Sequence, residues 1–214
     1  MRLSVPAAAV IALAVVLTAG RTDAKMPDPR FSTTPTVIAG SPSGAVLPSC
    51  GAQGWATPER LSSFRVVLRD VSDAPLAYVS VRLDLGPTAC RLYADDRPGT
   101  TVDCAARTIT RLSGLDGIVE FAPRFSGGCP DALVEVTADG VPLRSIPARS
   151  TDIDLDGRTG LGDLWHVASN YLHREHDAST DFDPCGGEPG LTTLADLLVF
   201  SRVFLGGGSG TVCP

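Results

Sequence analysis

The sequence predicts a mainly β protein with a small α module: a β-sandwich followed by a pair of loop–helix units. Three observations predict it. Between residues 50 and 148, short runs alternate apolar and polar with period two, and no long helical pattern intervenes. Turn chemistry separates these runs, most plainly at Asp116-Gly117 and Asp139-Gly140. Beyond residue 150 the pattern changes, and two aspartate-rich loops each lead into a run with helical apolar spacing.

The chain begins with a segment that is not expected to join the fold. Arg2 is followed by an uncharged apolar run to about Leu17 and then by small residues, with cleavage expected after Ala19 or Ala24. This is the plan of a signal peptide over residues 1–24. The run is too short for a comfortable membrane span, and no later segment approaches one. The protein is therefore expected to be secreted, the rival being an uncleaved anchor. Cleavage after Ala24 removes Arg2, Arg21 and Asp23 from 18 Lys+Arg and 24 Asp+Glu, leaving 16 against 23 and a net charge of −7. An acidic chain with dispersed arginines is a poor nucleic-acid binder, because neutralising phosphates takes clustered cations. Residues 25–48 are rich in Pro, Ser, Thr and Gly and read as a linker.

The strands follow in order. Phe64, Val66 and Leu68 alternate with Arg65 and Arg69, as in a half-buried strand. Asp73-Ala74-Pro75 turns the chain into a run from Tyr78 to Leu85. Residues 106–112 and 118–125 alternate around Asp116-Gly117, and 132–146 gives two strands around Asp139-Gly140. The stretches FRVVLRDVSDAPLAYVSVRLDL, TRLSGLDGIVEF and ALVEVTADGVPL resemble the bacterial Ig-like domains of the invasin and intimin type over residues 60–146. The resemblance implies an Ig-like sandwich, placed at residues 49–148, that serves as a spacer, stalk or interaction module.

All six cysteines lie beyond the signal segment, and an even count in an exported chain argues for disulfides. Zinc is the rival, but no Cys-x-x-Cys occurs. The insertion CRLYADDRPGTTVDC departs from the Ig-like pattern. Its ends abut strands that can neighbour one another, so Cys90–Cys104 is expected to close it, which in the chain-entropy model stabilises by roughly 3 kcal/mol. Cys50–Cys129 would then bridge the ends of the sandwich.

The stretch TDIDLDGRTGLGDLWHVASNY carries the chemistry. With Asp152 at loop position 1, Asp154 falls at 3, Asp156 at 5, Gly157 at 6, Arg158 at 7 and Asp163 at 12. That is the order of a Ca²⁺ loop: side-chain oxygens at 1, 3 and 5, a main-chain carbonyl at 7 and a carboxylate at 12. Calcium is a hard cation that takes several oxygens at flexible geometry, and glycine permits the sharp turn. The alternative is an aspartate-rich solvated turn. In the helix that follows, Leu164, Val167, Ala168, Tyr171 and Leu172 form the apolar stripe.

A second copy follows, with Asp181 and Asp183, glycines, and then Leu194-Ala195-Asp196-Leu197 matching Leu161-Gly162-Asp163-Leu164. Its loop is longer, with Pro184, Cys185 and Pro189 inserted, and Glu188 is the available carboxylate for position 5. Leu194, Leu197, Leu198, Phe200, Val203 and Phe204 are expected to pack on the first helix. Two such units resemble a type I dockerin over residues 150–206, within a module placed at 149–206 and followed by a tail at 207–214. The resemblance implies paired structural Ca²⁺ sites and docking to a cohesin-like partner through loop positions 10 and 11. Those positions are often hydroxyl-bearing in dockerins; here they are Leu161-Gly162 and Leu194-Ala195. Another extracellular protein, or the chain's own Ig-like domain, is the other expected partner. A Cys185–Cys213 bridge would fasten the tail to the second loop, beside the metal or in its place.

No catalytic constellation is visible. Gly-x-Ser-x-Gly and His-Glu-x-x-His are absent, Glu120 and Glu135 read as outward sheet positions, and His166, His173 and His176 as solvated. The expected function is non-catalytic extracellular binding or assembly stabilised by Ca²⁺. The alternative is a carbohydrate-binding accessory of a polysaccharide-degrading assembly, with Trp55, Tyr93 and Trp165 as stacking candidates.

Overall fold

The computed structural model describes residues 25–35, 38–40, 64–86, 91–95, 97–127, 133–182 and 190–206. Among the described residues, ten strands precede two helices: β1 (Ile38–Gly40), β2 (Phe64–Val67), β3 (Ser80–Asp84), β4 (Arg91–Asp95), β5 (Thr101–Asp103), β6 (Thr108–Leu112), β7 (Ile118–Phe121), β8 (Pro123–Ser126), β9 (Leu133–Ala138), β10 (Val141–Ser150), α1 (Leu161–His173) and α2 (Leu194–Gly206). The protein is mainly β with a small α part at its C-terminal end, as the period change at residue 150 predicts.

Six strands form one sheet in the order β1-β10-β9-β3-β6-β5, while β2 pairs with β7 and β4 with β8. All pairings are antiparallel except β1 with β10. The alternation places Phe64 and Val66 of β2, Val81 and Leu83 of β3, Val119 and Phe121 of β7, and Val134 and Val136 of β9 in one shared apolar core. Phe64 and Phe121 face each other across β2 and β7, their ring centroids 5.7 Å apart. Arg65 and Glu120, on the opposite face of the same strand pair, are register partners joined by an ion pair at 2.6 Å. Glu120 and Glu135 are thus outward sheet residues.

The two Asp-Gly turns differ. Asp139 (φ 46°) and Gly140 (φ 80°) join β9 to its partner β10 in a two-residue hairpin with both residues left-handed. Asp116-Gly117 does not make a hairpin between partners: β6 pairs with β3 and β5, whereas β7 pairs with β2. This turn carries the chain from one strand group to the other, with Gly117 at φ 75°. A Cβ at residue 117 would lie 2.6 Å from the Leu68 carbonyl oxygen. Gly117→Ala is therefore expected to cost about 2–4 kcal/mol, combining left-handed strain with a backbone clash; chemical denaturation measures it.

Residues expected as a linker are partly tied into the β structure. Asp28 N–H donates to Arg69 O at 2.9 Å, Thr33 and Val67 exchange both main-chain bonds, and β1 lies parallel to the end of β10 with Gly40 opposite Ser150. The cysteine insertion supplies β4 and β5, which join different strand groups. Cys104 is disulfide-bonded. Cys50, Cys90, Cys129, Cys185 and Cys213 lie outside the described residues, so the three expected pairings are not assigned. Residues 1–24 also lie outside them. Among the described residues, no helix is long and apolar enough to cross a membrane.

The helices pack a second, smaller core of Val167, Phe182, Val199, Phe200 and Val203, flanked by Ile153, Leu164, Leu197 and Phe204. The apolar spacing overstates the buried stripe. Tyr171 and Leu172 on α1, and Leu194 and Leu198 on α2, are exposed, while Asn170 is buried. Phe182, in the loop before α2, supplies an aromatic that helix periodicity does not reveal, its ring centroid 6.2 Å from that of Phe200.

Candidate metal centre

The first aspartate loop follows β10 directly. Asp152, Asp154 and Asp156 each bring one carboxylate oxygen to within 4.8 Å of the other two, as alternating positions on a tight loop predict. The loop is held by its own main chain. Gly157 N–H donates to Asp152 Oδ2 at 3.0 Å, Asp156 N–H to Asp154 Oδ1 at 3.1 Å, and Arg158 N–H to Asp156 Oδ1 at 2.8 Å. Gly157 sits at φ 86°, which glycine adopts without penalty. Thr151 and Thr159 close the loop's neck with a hydroxyl–hydroxyl bond of 2.7 Å.

Asp163 is placed differently from the other three. Its Oδ1 accepts the N–H groups of Ile153 (2.5 Å) and Asp154 (3.1 Å), and its Oδ2 accepts that of Gly160 (2.7 Å). It is fully buried and lies in the first turn of α1, where an anion is favoured. It thus ties the loop's start to the helix it opens. Gly160 has no side chain to return the bond, so only half of a capping box is present.

Asp152 is also fully buried, and its Oδ1 has no hydrogen-bond partner among the described residues. Burial first, and then the charge of Asp163, pushes its pKa up to about 7, against the Gly157 N–H that lowers it. Burial likewise raises Asp163, opposed by its three N–H donors. Without a cation, the proton on Asp152 contributes stability that is complete below about pH 4 and lost as the pH rises through 7. A buried, unpartnered carboxylate oxygen beside two further carboxylates fits an oxygen-seeking divalent cation.

At Gly162, loop position 11, a Cβ would stand 2.5 Å from Asp154 Oδ2, so a side chain there requires this exposed carboxylate to turn aside.

The second unit repeats this frame. Asp181 Oδ2 accepts Gly190 N–H at 2.7 Å, as Asp152 Oδ2 accepts that of Gly157. Gly190 has φ 81°. Thr180 and Thr192 share a hydroxyl bond of 2.6 Å, matching Thr151 and Thr159. Asp196 Oδ2 accepts both N–H and Oγ1–H of Thr193 at 2.7 Å, matching the bond from Gly160 to Asp163. Gly190 is therefore the counterpart of Gly157, and the insertion lies between Asp183 and Gly190. Aligning the sequence backwards from Asp196 would have found it, since Gly157 and Gly190 stand at equal distances before Asp163 and Asp196. Asp183 and Glu188 lie outside the described residues.

One polar cluster was not legible beforehand. Asp177, between the helices, accepts bonds from Ser179 N–H (2.8 Å), His166 Nε2 (3.1 Å) and Asn170 Nδ2 (3.1 Å). Burial works to raise its pKa, but these bonds outweigh burial and lower it. His166 is thus tied to the interhelix loop. His173 Nδ1 shares a bond of 3.2 Å with Ser169 Oγ. Trp165 is exposed on α1. Trp55 and the side chain of Tyr93 lie outside the described residues.

Compared with protein-family models, with curated proteins and with solved structures, the chain matches none.

Proposed function

We propose that this is a secreted, non-catalytic calcium-binding protein of extracellular binding or assembly. In this reading an Ig-like β-sandwich carries a dockerin-like module stabilised by Ca²⁺. The observation that carries it is the buried, unpartnered Asp152 Oδ1 within the Asp152–Asp154–Asp156 cluster. Asp152, Asp154 and Asp156 would hold the ion, with the Arg158 carbonyl and Asp163 completing the loop in the resemblance. When bound, the cation neutralises the clustered carboxylates and adds its binding energy to folding. Asp181, Asp183 and Asp196 are proposed for a second ion, on the frame that Asp181, Gly190 and Asp196 share with the first loop.

Docking is supported by the helix surfaces. Leu161, Trp165 and Leu172 on α1 are exposed, and so are Leu194, Leu198 and Leu205 at the matching positions of α2. Large apolar side chains left in solvent at repeated positions suit contact with another protein surface. The proposed partner is an extracellular protein, a cohesin-like module among them.

Thermal unfolding of the mature chain with excess Ca²⁺ and with EDTA tests the reading. Chelation is expected to lower the transition of residues 150–206 by ten degrees or more, since a few kcal/mol is a large share of so small a module's stability. Superimposable transitions in the two buffers would count against a structural calcium site.

A further inference from the structure

No exposed linker separates the β domain from the metal loop. Strand β10 runs to Ser150, and Ser150, Thr151 and Asp152 are all fully buried. Asp152 serves both sides of this joint. Its carboxylate belongs to the aspartate cluster, while its main-chain carbonyl accepts the N–H of Gly127 at 2.7 Å, the residue just past β8. Its own N–H donates to Ser150 Oγ at 3.2 Å, and Ser150 stands opposite Gly40 where β1 lies against β10.

We propose that the cation in the first loop locks the loop–helix module onto the end of the β domain, so that calcium sets the rigidity of the joint. This rests on the calcium reading above. Without the ion, an ionised Asp152 leaves Oδ1 buried and unpartnered among like charges. Relief comes from moving this residue toward water, and it cannot move far without drawing its carbonyl away from Gly127 and loosening Ser150. With the ion, Oδ1 gains its partner and the buried joint becomes the stable arrangement. Modules joined through exposed linkers move independently by default; here the shared residue removes that freedom when the metal is present. Linkage requires reciprocity: whatever calcium adds to the joint, the joint adds to calcium affinity.

Residue-resolved amide exchange on the full mature chain, in excess Ca²⁺ and in EDTA, tests the lock, with calcium binding measured separately by calorimetry. The Gly127 amide is expected to exchange at least tenfold faster in EDTA, while Val81, Leu83 and Val136 in the sheet interior stay protected. Asp156→Asn, on the exposed rim of the loop, should raise the calcium concentration needed to protect Gly127 by the same factor as it weakens calcium binding. Calcium binding with no change at Gly127 would overturn the lock and leave the site intact. Absence of calorimetric binding would overturn both. Equal loss of protection at Gly127 and in the sheet interior would replace a local lock with global unfolding and also overturn it.

Discussion

Asp152→Asn is expected to act with opposite signs in calcium and in EDTA. The substitution keeps an oxygen able to accept the Gly157 N–H but removes the charge. In EDTA above pH 7, the native carboxylate is buried beside like charges, with Oδ1 unpartnered. Removing that charge should stabilise the protein by about 1 kcal/mol. With calcium present, the same change removes a proposed ligand. If affinity falls on the order of 100-fold, a buffer holding calcium at 100 times the native dissociation constant loses about 2.3 kcal/mol of stabilisation, because about 0.4 of the original ~2.7 kcal/mol remains. Chemical denaturation of both proteins in both buffers reads the two signs. Destabilisation of similar size in both would mean that Asp152 acts only through its hydrogen bond.

Phe200→Ala is expected to dismantle the helical part while sparing the strands. Phe200 is fully buried between Phe182 and Phe204, with centroid separations of 6.2 Å to each. Its loss should cost about 3–5 kcal/mol. Among the described residues the small core has five buried members, so little remains to hold α1 against α2. The β core shares no member with it. The helical circular-dichroism signal should disappear at a temperature where the β signal persists, and calcium affinity should fall with it, because Asp163 ties the first loop to α1. Simultaneous loss of both signals would indicate one cooperative unit.

What could be read in advance followed from local rules. The period-two alternation places Phe64, Val66 and Leu68 inward, because side chains on a strand must point to opposite faces. Asp152, Asp154 and Asp156 converge because alternation on a tight loop requires it. Nonlocal features were hidden. Asp116-Gly117 has hairpin chemistry, yet it crosses between strand groups, since a turn fixes local direction and not the partner. Residues 25–40 lack strand periodicity, yet among the described ones Thr33 pairs with β2 and β1 with β10 in short, separate contacts. The apolar stripe predicted on α1 includes Tyr171 and Leu172, which are exposed, for a short helix facing one partner buries a narrow face and leaves the rest to solvent. Asp163, expected among the ligands, also accepts three main-chain N–H bonds, a use that spacing alone does not reveal. The tie from Gly127 to Asp152 spans sequence-distant residues and leaves no local trace.

Calorimetric titration of the purified, chelator-treated mature chain with Ca²⁺ at pH 7.5 tests the central claim most directly. Saturable binding of at least one Ca²⁺ per chain is expected, with that site lost in Asp152→Asn. A titration that shows no saturable calcium binding, or one that Asp152→Asn leaves unchanged, would contradict it.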